Sequence, residues 1–182
     1  MEILRSAAAA FRDRGFEASG MREIARAVDL TPGALYHYFE NKSELLYFCQ
    51  EYSADRLLEK ARDVLRLRSS WEAKLRALVT HHVLCTLDEL HGSAAHIEFH
   101  ALPGERLAKI IAKRDEYEAI VRRVLSGGMK AGEFVRGDPK MLGLAILGAV
   151  NWTARWYRPD GGKSPAGIAA EFSNYLVRGL LR

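Results

Sequence analysis

The stretch that decides the fold of this chain is residues 21–46, which read MREIARAVDLTPGALYHYFENKSELL. Apolar side chains recur at helical spacing in each half of the stretch, and the pattern breaks near its middle. Thr31 and Pro32 then mark a new start, because threonine caps helices and proline loses nothing at the first helical position. We predict two short helices, over residues 20–28 and 31–38, joined by the tight turn of a helix-turn-helix.

Helical periodicity continues on both sides of this stretch, and no segment alternates in the manner of a β-strand. A first helix is predicted over residues 1–14. The later helices are predicted over residues 44–67, 71–90, 94–101, 105–129, 139–157 and 165–181. Gly127, Gly128 and Gly132 are expected to loosen the end of one of them. The expected fold is all-α with about nine helices, in an N-terminal domain over residues 1–48 and a larger domain over residues 49–182.

The charge of the chain does not by itself locate a DNA-binding site. The 182 residues carry a net charge of +4 and a pI near 9.1, which suits an anionic partner. Residues 1–50, however, hold six basic and seven acidic side chains, so the surplus of +5 lies in the rest of the chain. We find neither a signal peptide nor an apolar run of the roughly 18 to 20 residues that cross a bilayer, and we expect a cytoplasmic protein outside the membrane.

The second short helix is expected to be the recognition helix, whose N-terminal residues reach base edges in the major groove. Its first residues are small, which lets backbone amides and the Thr31 hydroxyl approach phosphates or bases. Leu35 and Phe39 lie four residues apart on the opposite face and are expected to be core. Lys42 adds a positive charge near the next helix start. The candidate DNA contacts from this pattern are Thr31, Pro32, Gly33, Ala34, Tyr36, His37 and Lys42.

These residues resemble the DNA-binding domain of the TetR family of bacterial repressors. The resemblance is carried by Phe11, Phe16, Ile24, Ala25, residues 30–39 and residues 41–46. It implies a three-helix DNA-binding domain, a long connecting helix, and a variable helical domain for ligand binding and dimerisation. It also implies a homodimer on a palindromic operator in double-stranded DNA, and it adds Arg22 to the DNA contacts.

The chain departs from the family pattern at Gly20, where relatives usually carry a hydroxyl residue that caps the second helix and often touches phosphate. Glycine caps a helix nearly as well but removes the hydroxyl. Ser19, one residue earlier, is expected to substitute for it. We therefore expect at most a modest loss of DNA affinity, on the order of one neutral hydrogen bond.

Two features of the C-terminal half resemble parts of the same family. The last two long helices match the pair that usually forms a four-helix bundle with a second subunit, and small residues in the first of them allow close approach. Residues 151–165, NWTARWYRPDGGKSP, resemble a segment of TetR-type regulators of fatty-acid and steroid degradation that respond to coenzyme A thioesters. The resemblance implies a repressor of lipid-degradation genes that an acyl-CoA thioester releases, with no bound cofactor.

The side chains available for such an effector are apolar and basic. Apolar residues such as Leu102, Leu107 and Leu125 are candidates to line an acyl tunnel. The cationic candidates for its phosphates include Arg106, Arg122, Arg123, Arg158 and Lys163. The predicted ligand-binding residues are Phe99, Tyr117, Ile120, Val121, Trp152, Arg155 and Trp156.

Three alternatives stay open at this point. A TetR-type sensor of drugs or aromatic compounds would have the same helix-turn-helix. A zinc-dependent enzyme would use His96 and His100, four residues apart on one helix face, although HIEFH lacks the glutamate placement of the HExxH motif. Whether the regulator represses or activates is the third open question. We expect a regulator that is not an enzyme and holds no metal.

Overall fold

The computed structural model describes residues 2–87 and 99–182. Within them the backbone is helical apart from turns and one isolated antiparallel bridge between Phe134 and Leu181. The α-helices are α1 (Glu2–Arg14), α2 (Met21–Arg26), α3 (Pro32–Tyr38), α4 (Lys42–Arg66), α5 (Trp71–Leu87), α6 (Gly104–Ala131), α7 (Pro139–Trp156) and α8 (Pro165–Arg178). The all-α prediction is confirmed, and the eight α-helices of the described ranges come close to the expected number.

Three of these helices begin where a capping residue is followed by proline. The side chains of Thr31, Asp138 and Ser164 accept hydrogen bonds from first-turn N–H groups at 3.1, 2.8 and 3.1 Å. The proline after each of them stands where no N–H is needed. The predicted starts of α3, α7 and α8 are therefore confirmed.

Helix α6 does not loosen at Gly127 and Gly128 as the sequence predicts. It continues regularly to Ala131. A β-carbon at Gly127 would overlap the Trp71 ring, and one at Gly128 would overlap the fully buried Phe134 ring. For Gly127 and Gly128 the prediction is wrong, because these two glycines let aromatic rings pack directly on the helix backbone. Gly132 follows the last helical residue with a φ of 78°, and the helix ends there.

Other predicted helices differ in extent from those observed or lie partly outside the described residues. Helix α2 is shorter than residues 20–28, since the chain enters a turn at Ala27. The predicted helix over residues 94–101 falls mostly outside the described residues, where only the 3₁₀ turn Phe99–Ala101 is seen. The predicted end of α5 at residue 90 also lies outside the described residues.

The chain forms two compact units, each built from two chain segments. The first unit comprises Met1–Asp55 and Asp88–Ala112, and the second comprises Arg56–Leu87 and Lys113–Arg182. The predicted domains follow one cut at residue 48, whereas each compact unit contains part of α4 and part of α6.

Each unit has its own apolar core. In the first unit, side chains of α1 to α4, such as Phe11 and Leu46, pack with Ile110 of α6. In the second unit, α5 to α8 pack around residues such as Leu75 and Val150. Each unit therefore has a scaffold that fixes the side chains on its surface and in its interior.

Candidate nucleic-acid interface and effector site

The turn between α2 and α3 contains one residue in the left-handed conformation. Asp29 has a φ of 54°, and aspartate is among the few side chains that tolerate this region. The Leu30 N–H then reaches the Ala25 carbonyl at 2.9 Å and closes the end of α2. The Ser6 hydroxyl of α1 donates to the Ile24 carbonyl at 3.2 Å and fixes α2 against α1. The two short helices are thereby held in the arrangement of a helix-turn-helix.

Helix α3 has one buried side and one exposed side. Leu35 is completely buried, as predicted. Tyr36 and Tyr38 are 50% and 63% exposed, and His37 is exposed as well. A β-carbon at Gly33 would meet no atom within 4 Å, so the start of the helix faces open space. This is the surface that a recognition helix needs in the major groove.

Other predicted DNA contacts are accessible in the first unit. Arg22 and Thr31 are exposed, and Pro32 and Ala34 are half-buried in and beside the first turn of α3. The Thr31 oxygen accepts from the Ala34 N–H, so its own hydrogen can be donated to a phosphate oxygen. Their contact with DNA stays a prediction.

Lys42 has a structural role that the sequence did not reveal. Its ammonium donates to the backbone carbonyls of Phe16 and Glu17 at 2.6 and 3.1 Å. It also lies 4.3 Å from the centre of the Phe16 ring. Lys42 therefore ties the loop after α1 to the start of α4, which leaves one of its three N–H donors for the predicted phosphate contact.

The departure at Gly20 has a different consequence from the expected one. Gly20 is the N-cap of α2 and provides no side-chain hydrogen bond. Ser19 is 3% exposed, and its hydroxyl oxygen lies 2.9 and 2.7 Å from the carbonyl oxygens of Ala10 and Gly15. The expectation that Ser19 substitutes for the missing hydroxyl is wrong, because its side chain is turned into the protein.

The first turn of α4 carries a capping box that also binds an arginine. Asn41 Oδ1 accepts from the Glu44 N–H at 2.9 Å, and Glu44 Oε2 accepts from the Glu40 N–H at 2.7 Å. Glu44 Oε1 accepts from Arg106 Nη2 at 3.0 Å, and this guanidinium lies 5.6 Å from the Tyr47 ring centre. Arg106, a candidate for ligand phosphates, is thus engaged within the first unit.

A chain of hydrogen bonds crosses the core of the second unit. His82 of α5 has its Nδ1 3.1 Å from the Tyr117 hydroxyl of α6 and its Nε2 2.8 Å from Asn151 Oδ1 of α7. The His82 and Tyr117 rings meet edge to face with their centroids 5.2 Å apart. His82 is 3% exposed and Tyr117 is 7% exposed, so their polar atoms are satisfied by each other instead of by bulk water.

Burial sets the protonation states in this hydrogen-bonded chain. Desolvation lowers the pKa of His82 to about 4, although the hydrogen bond with Asn151 opposes it. Desolvation also raises the pKa of Tyr117 above its ordinary value. Both side chains are therefore uncharged at neutral pH. A neutral His82 that donates from Nε2 to Asn151 accepts at Nδ1 from the Tyr117 hydroxyl.

His82 and Tyr117 line a small cavity whose other walls are apolar. Its volume is about 10 Å³, which is room for about one water molecule. The apolar walls include Leu75, Leu78, Val79, Val121, Ile146 and Val150. Among the predicted ligand residues, Tyr117 and Val121 therefore line this cavity, and Ile120 is buried in the same core. The side chain of Phe99 lies outside the described part of the chain.

The predicted ligand residues of α7 lie on the protein surface instead of along the cavity. Trp152 and Trp156 are 64% and 45% exposed, and the Trp156 ring lies 6.1 Å from the Phe172 ring, centre to centre. Arg155 is exposed. The structure thus separates the α7 residues from the cavity-lining Tyr117, although the sequence grouped them in one site.

Most of the basic candidates for phosphate binding already face a carboxylate. The ion pairs are Arg106–Glu44, Arg122–Glu118, Arg158–Asp160 and Lys163–Glu171, with N–O distances of 2.6 to 3.5 Å. The pairs of Arg158 and Lys163 are exposed and therefore weak, so they do not prevent a polyanion from binding, whereas the pairs of Arg106 and Arg122 are partly buried. Arg123 and Arg155 are exposed and have no ion pair with another described residue.

The outer sides of α7 and α8 form an apolar surface. Met141 and Leu144 of α7 are 61% and 47% exposed, and Tyr175 of α8 is 82% exposed. A groove between the two helices is lined by residues such as Ala145 and Phe172. Large apolar patches of this kind mark interaction surfaces. They lie on the two helices that the sequence assigned to dimerisation.

The described cysteines and histidines do not gather into a metal-binding group. No three potential metal-ligating side chains come together in residues 2–87 and 99–182. Cys49 and Cys85 are buried free thiols, and desolvation raises the pKa of Cys49 to about 12. His96, one of the two residues of the zinc-enzyme alternative, lies outside the described residues. None of the helices that the structure describes is long and apolar enough to span a membrane.

The chain matches two described protein families. Residues 3–47 match "Bacterial regulatory proteins, tetR family", and residues 68–180 match "Tetracyclin repressor-like, C-terminal domain". Similar proteins include the HTH-type transcriptional repressor KstR2 of Rhodococcus jostii, which is 30% identical over 98% of this chain and 89% of that protein. The fatty acid metabolism regulator protein of Bacillus subtilis is 22% identical over 99% of this chain and 94% of that protein.

One similar solved structure is a complex of a protein with a ligand and DNA. AibR in complex with isovaleryl coenzyme A and operator DNA is 30% identical to this chain, with a TM-score of 0.81 and 96% of each chain covered. The chain belongs to the TetR family of bacterial regulatory proteins. It is therefore a DNA-binding transcriptional regulator and not an enzyme, and its predicted partners, operator DNA, an effector and a second copy, are confirmed at the level of the family.

Sequence reasoning missed His82 and Asn151 as parts of the polar chain in the second unit. One signal was present, since His82 continues the apolar stripe of Leu75, Leu78 and Val79 at helical spacing. A histidine in such a stripe is buried and must find a hydrogen-bond partner. Its partners lie 35 and 69 residues further along the chain, so the sequence could not name them.

Proposed function

We propose that this chain is a repressor of lipid-degradation genes, acting in the cytoplasm, that leaves its operator when an acyl-CoA thioester binds to its second unit. The observation that carries the proposal is the full-length similarity to AibR, whose structure holds isovaleryl coenzyme A and operator DNA. The similarity to a KstR2 repressor and to a fatty acid metabolism regulator supports the same class of genes.

DNA binding is assigned to α3 and the helix starts beside it. In the proposed complex, two copies of the chain bind the two halves of a palindrome, with recognition helices about 34 to 36 Å apart. The exposed face with Tyr36 and His37 enters the major groove, and Thr31 donates to the backbone phosphates. The apolar outer sides of α7 and α8 are the surfaces that the second copy covers.

The acyl part of the effector is assigned to the cavity lined by Tyr117 and Val121. Its apolar walls suit a hydrocarbon group, and since it has room for only about one water molecule, the core has to widen to admit an acyl chain. The polyanionic coenzyme A portion is assigned to exposed cations that pair with no carboxylate of residues 2–87 and 99–182, such as Arg155. The exposed rings of Trp152 and Trp156 stand beside that arginine and can stack on a nucleotide base.

The effector acts by binding one arrangement of the dimer more tightly than the other. It can shift the DNA-bound population only by that difference in affinity. Helix α6 is the element through which we propose this coupling, because it contributes Tyr117 to the cavity and Ile110 to the core of the first unit. A change in the position of α6 on effector binding therefore reaches the DNA-binding unit.

The test is operator release measured with purified full-length protein. Operator fragments are first selected from a random DNA pool, and a labelled fragment is then titrated with isovaleryl-CoA, butanoyl-CoA and octanoyl-CoA by fluorescence anisotropy. We expect release by acyl-CoA thioesters and no release by free coenzyme A or by the free carboxylic acids. Release by aromatic drugs, with no response to any thioester, would instead identify a drug sensor and refute the proposal.

A matched pair of variants separates the two proposed functions of the chain. Tyr36→Phe is expected to weaken operator binding about fivefold through the loss of one hydrogen bond, and to leave effector affinity unchanged. Arg155→Gln is expected to leave operator binding intact and to raise the acyl-CoA concentration needed for release about tenfold. Equal behaviour of Arg155→Gln and the wild type would remove that residue from the effector site.

A further inference from the structure

We infer that Arg106 is a positioning residue for operator binding, which holds the recognition helix α3 in place through Glu44 and not by contact with DNA. Arg106 lies in the first turn of α6 and Glu44 in the first turn of α4, and the two are 62 residues apart in the chain. Both residues belong to the first unit. The inference rests on the proposed function, because it takes α3 as the helix that binds the operator.

The first step is the way in which Glu44 divides its two carboxylate oxygens. Oε2 accepts from the Glu40 N–H at 2.7 Å, and Oε1 accepts from Arg106 Nη2 at 3.0 Å. Glu40 comes directly after Phe39, which is the C-cap of α3. A single carboxylate therefore joins the backbone at the end of the recognition helix to the start of α6.

The second step is the environment of this ion pair. The side chains of Arg106 and Glu44 are 33% and 18% exposed, whereas Lys109 and Glu105 form a pair within α6 that is 57% and 84% exposed. The Arg106 guanidinium also lies 5.6 Å from the centre of the Tyr47 ring. Salt screens a partly buried pair less than an exposed one, and a second contact restricts the arginine further. Of the two pairs, the one between Arg106 and Glu44 is therefore able to fix a backbone position.

The third step is to cut this link from either end without uncapping α4. Arg106→Met keeps an aliphatic side chain and leaves the bond between Glu44 and the Glu40 N–H in place. Glu44→Gln keeps a carbonyl oxygen for the same N–H, because glutamine serves in a capping box as glutamate does. The new amide nitrogen is a donor, so it cannot accept from Arg106. Both changes remove the link to α6 and keep the start of α4 capped.

The two substitutions change the charge of the DNA-binding unit in opposite directions. By charge alone, Arg106→Met weakens binding to the polyanionic operator and Glu44→Gln strengthens it. A positioning role predicts instead that both variants bind more weakly, because α3 is held less well in each. We expect the operator dissociation constant to rise about three- to tenfold in each variant through the loss of one charge-assisted hydrogen bond.

The experiment measures operator affinity by fluorescence anisotropy at several salt concentrations. Full-length wild type, Arg106→Met, Glu44→Gln and the double variant are titrated against an operator that the wild type selects from random DNA. The double variant should bind about as well as the weaker single variant, because the two changes break one link. The dependence of log affinity on log salt should keep the wild-type slope, whereas a lost phosphate contact would lower the slope by about one.

The exposed pair within α6 provides matched controls. Lys109→Met and Glu105→Gln make the same two changes of charge, and both should bind the operator within about twofold of the wild type. Circular dichroism and urea unfolding show that each variant is folded under the conditions of the titration. A pair that only stabilised the fold would lower the urea midpoint and leave the operator affinity of the folded protein unchanged.

Three results would overturn the inference alone. They are wild-type affinity in either folded variant, tighter binding by Glu44→Gln, and a salt slope that falls by about one in Arg106→Met, which would make Arg106 a phosphate contact. If Arg106→Met does not fold, Glu44→Gln tests the same link by itself. If the wild type selects no operator from the random pool, the proposed function fails as well, so the two failures are distinguishable.

Discussion

Acidification should weaken the fold through His82. The folded protein holds this imidazole neutral, since burial lowers its pKa to about 4, whereas the unfolded chain has the ordinary value of 6.5. Between pH 6.5 and pH 4 the unfolded state therefore binds more protons than the folded state, so stability falls as the pH falls through this window. Between pH 7 and pH 5 this one group lowers the free energy of unfolding by about 2 kcal/mol.

The assay is urea unfolding followed by circular dichroism at pH 7, 6 and 5, at one fixed protein concentration because the protein dimerises. His82→Gln keeps a hydrogen-bonding side chain but removes the titrating ring. We expect the variant to be less stable than the wild type at pH 7, and the wild type to lose about 2 kcal/mol more than the variant between pH 7 and pH 5.

Other titrating groups do not affect this comparison. Burial also lowers the pKa of His81, so this group also reduces stability as the pH falls. Because His81 is present in both proteins, its effect on stability cancels in the difference between them. His37→Gln, which removes an imidazole on the protein surface, should follow the wild type. If wild type and His82→Gln lose the same stability from pH 7 to pH 5, the folded protein does not hold the His82 imidazole neutral in this range.

Three further changes test the packing of the chain. Gly128→Ala should lower the melting temperature by roughly 2 to 10 °C, since the added methyl overlaps the buried Phe134 ring. Gly33→Ala is the control, because its methyl enters open space and should not lower the melting temperature. Thermal melts that rank the two variants in the opposite order would contradict this. Asp29→Gly should raise the free energy of unfolding by about 0.5 kcal/mol, because glycine adopts a φ of 54° without strain, and unchanged stability in urea would argue against that strain. Lys42→Met should cost about 1 kcal/mol of stability through the loss of its bonds to two carbonyls, and unchanged stability in urea would contradict this. A fall of about one in the salt slope of operator binding would establish, in addition, the phosphate contact of its third donor.

The sequence by itself determined the elements of this protein whose causes are local. Thr31, Asp138 and Ser164 cap helices by bonding to N–H groups two or three residues away, so the starts of those helices can be read directly from the residue order. The exposed and buried sides of α3 follow from helical spacing in the same way, which is why Leu35 is core and Tyr36 is not. The resemblance of residues 11–46 to the TetR DNA-binding domain rests on this local pattern.

Only the tertiary structure decided which distant groups meet. Lys42 bonds to a carbonyl 26 residues away, and His82 joins Tyr117 and Asn151 from three different helices. Gly128 looked like a weak point of α6 until the Phe134 ring was found to lie against it. In each case the residue type permits several partners. The packing of whole helices selects one of them, and the spacing of residues along the sequence does not predict that packing.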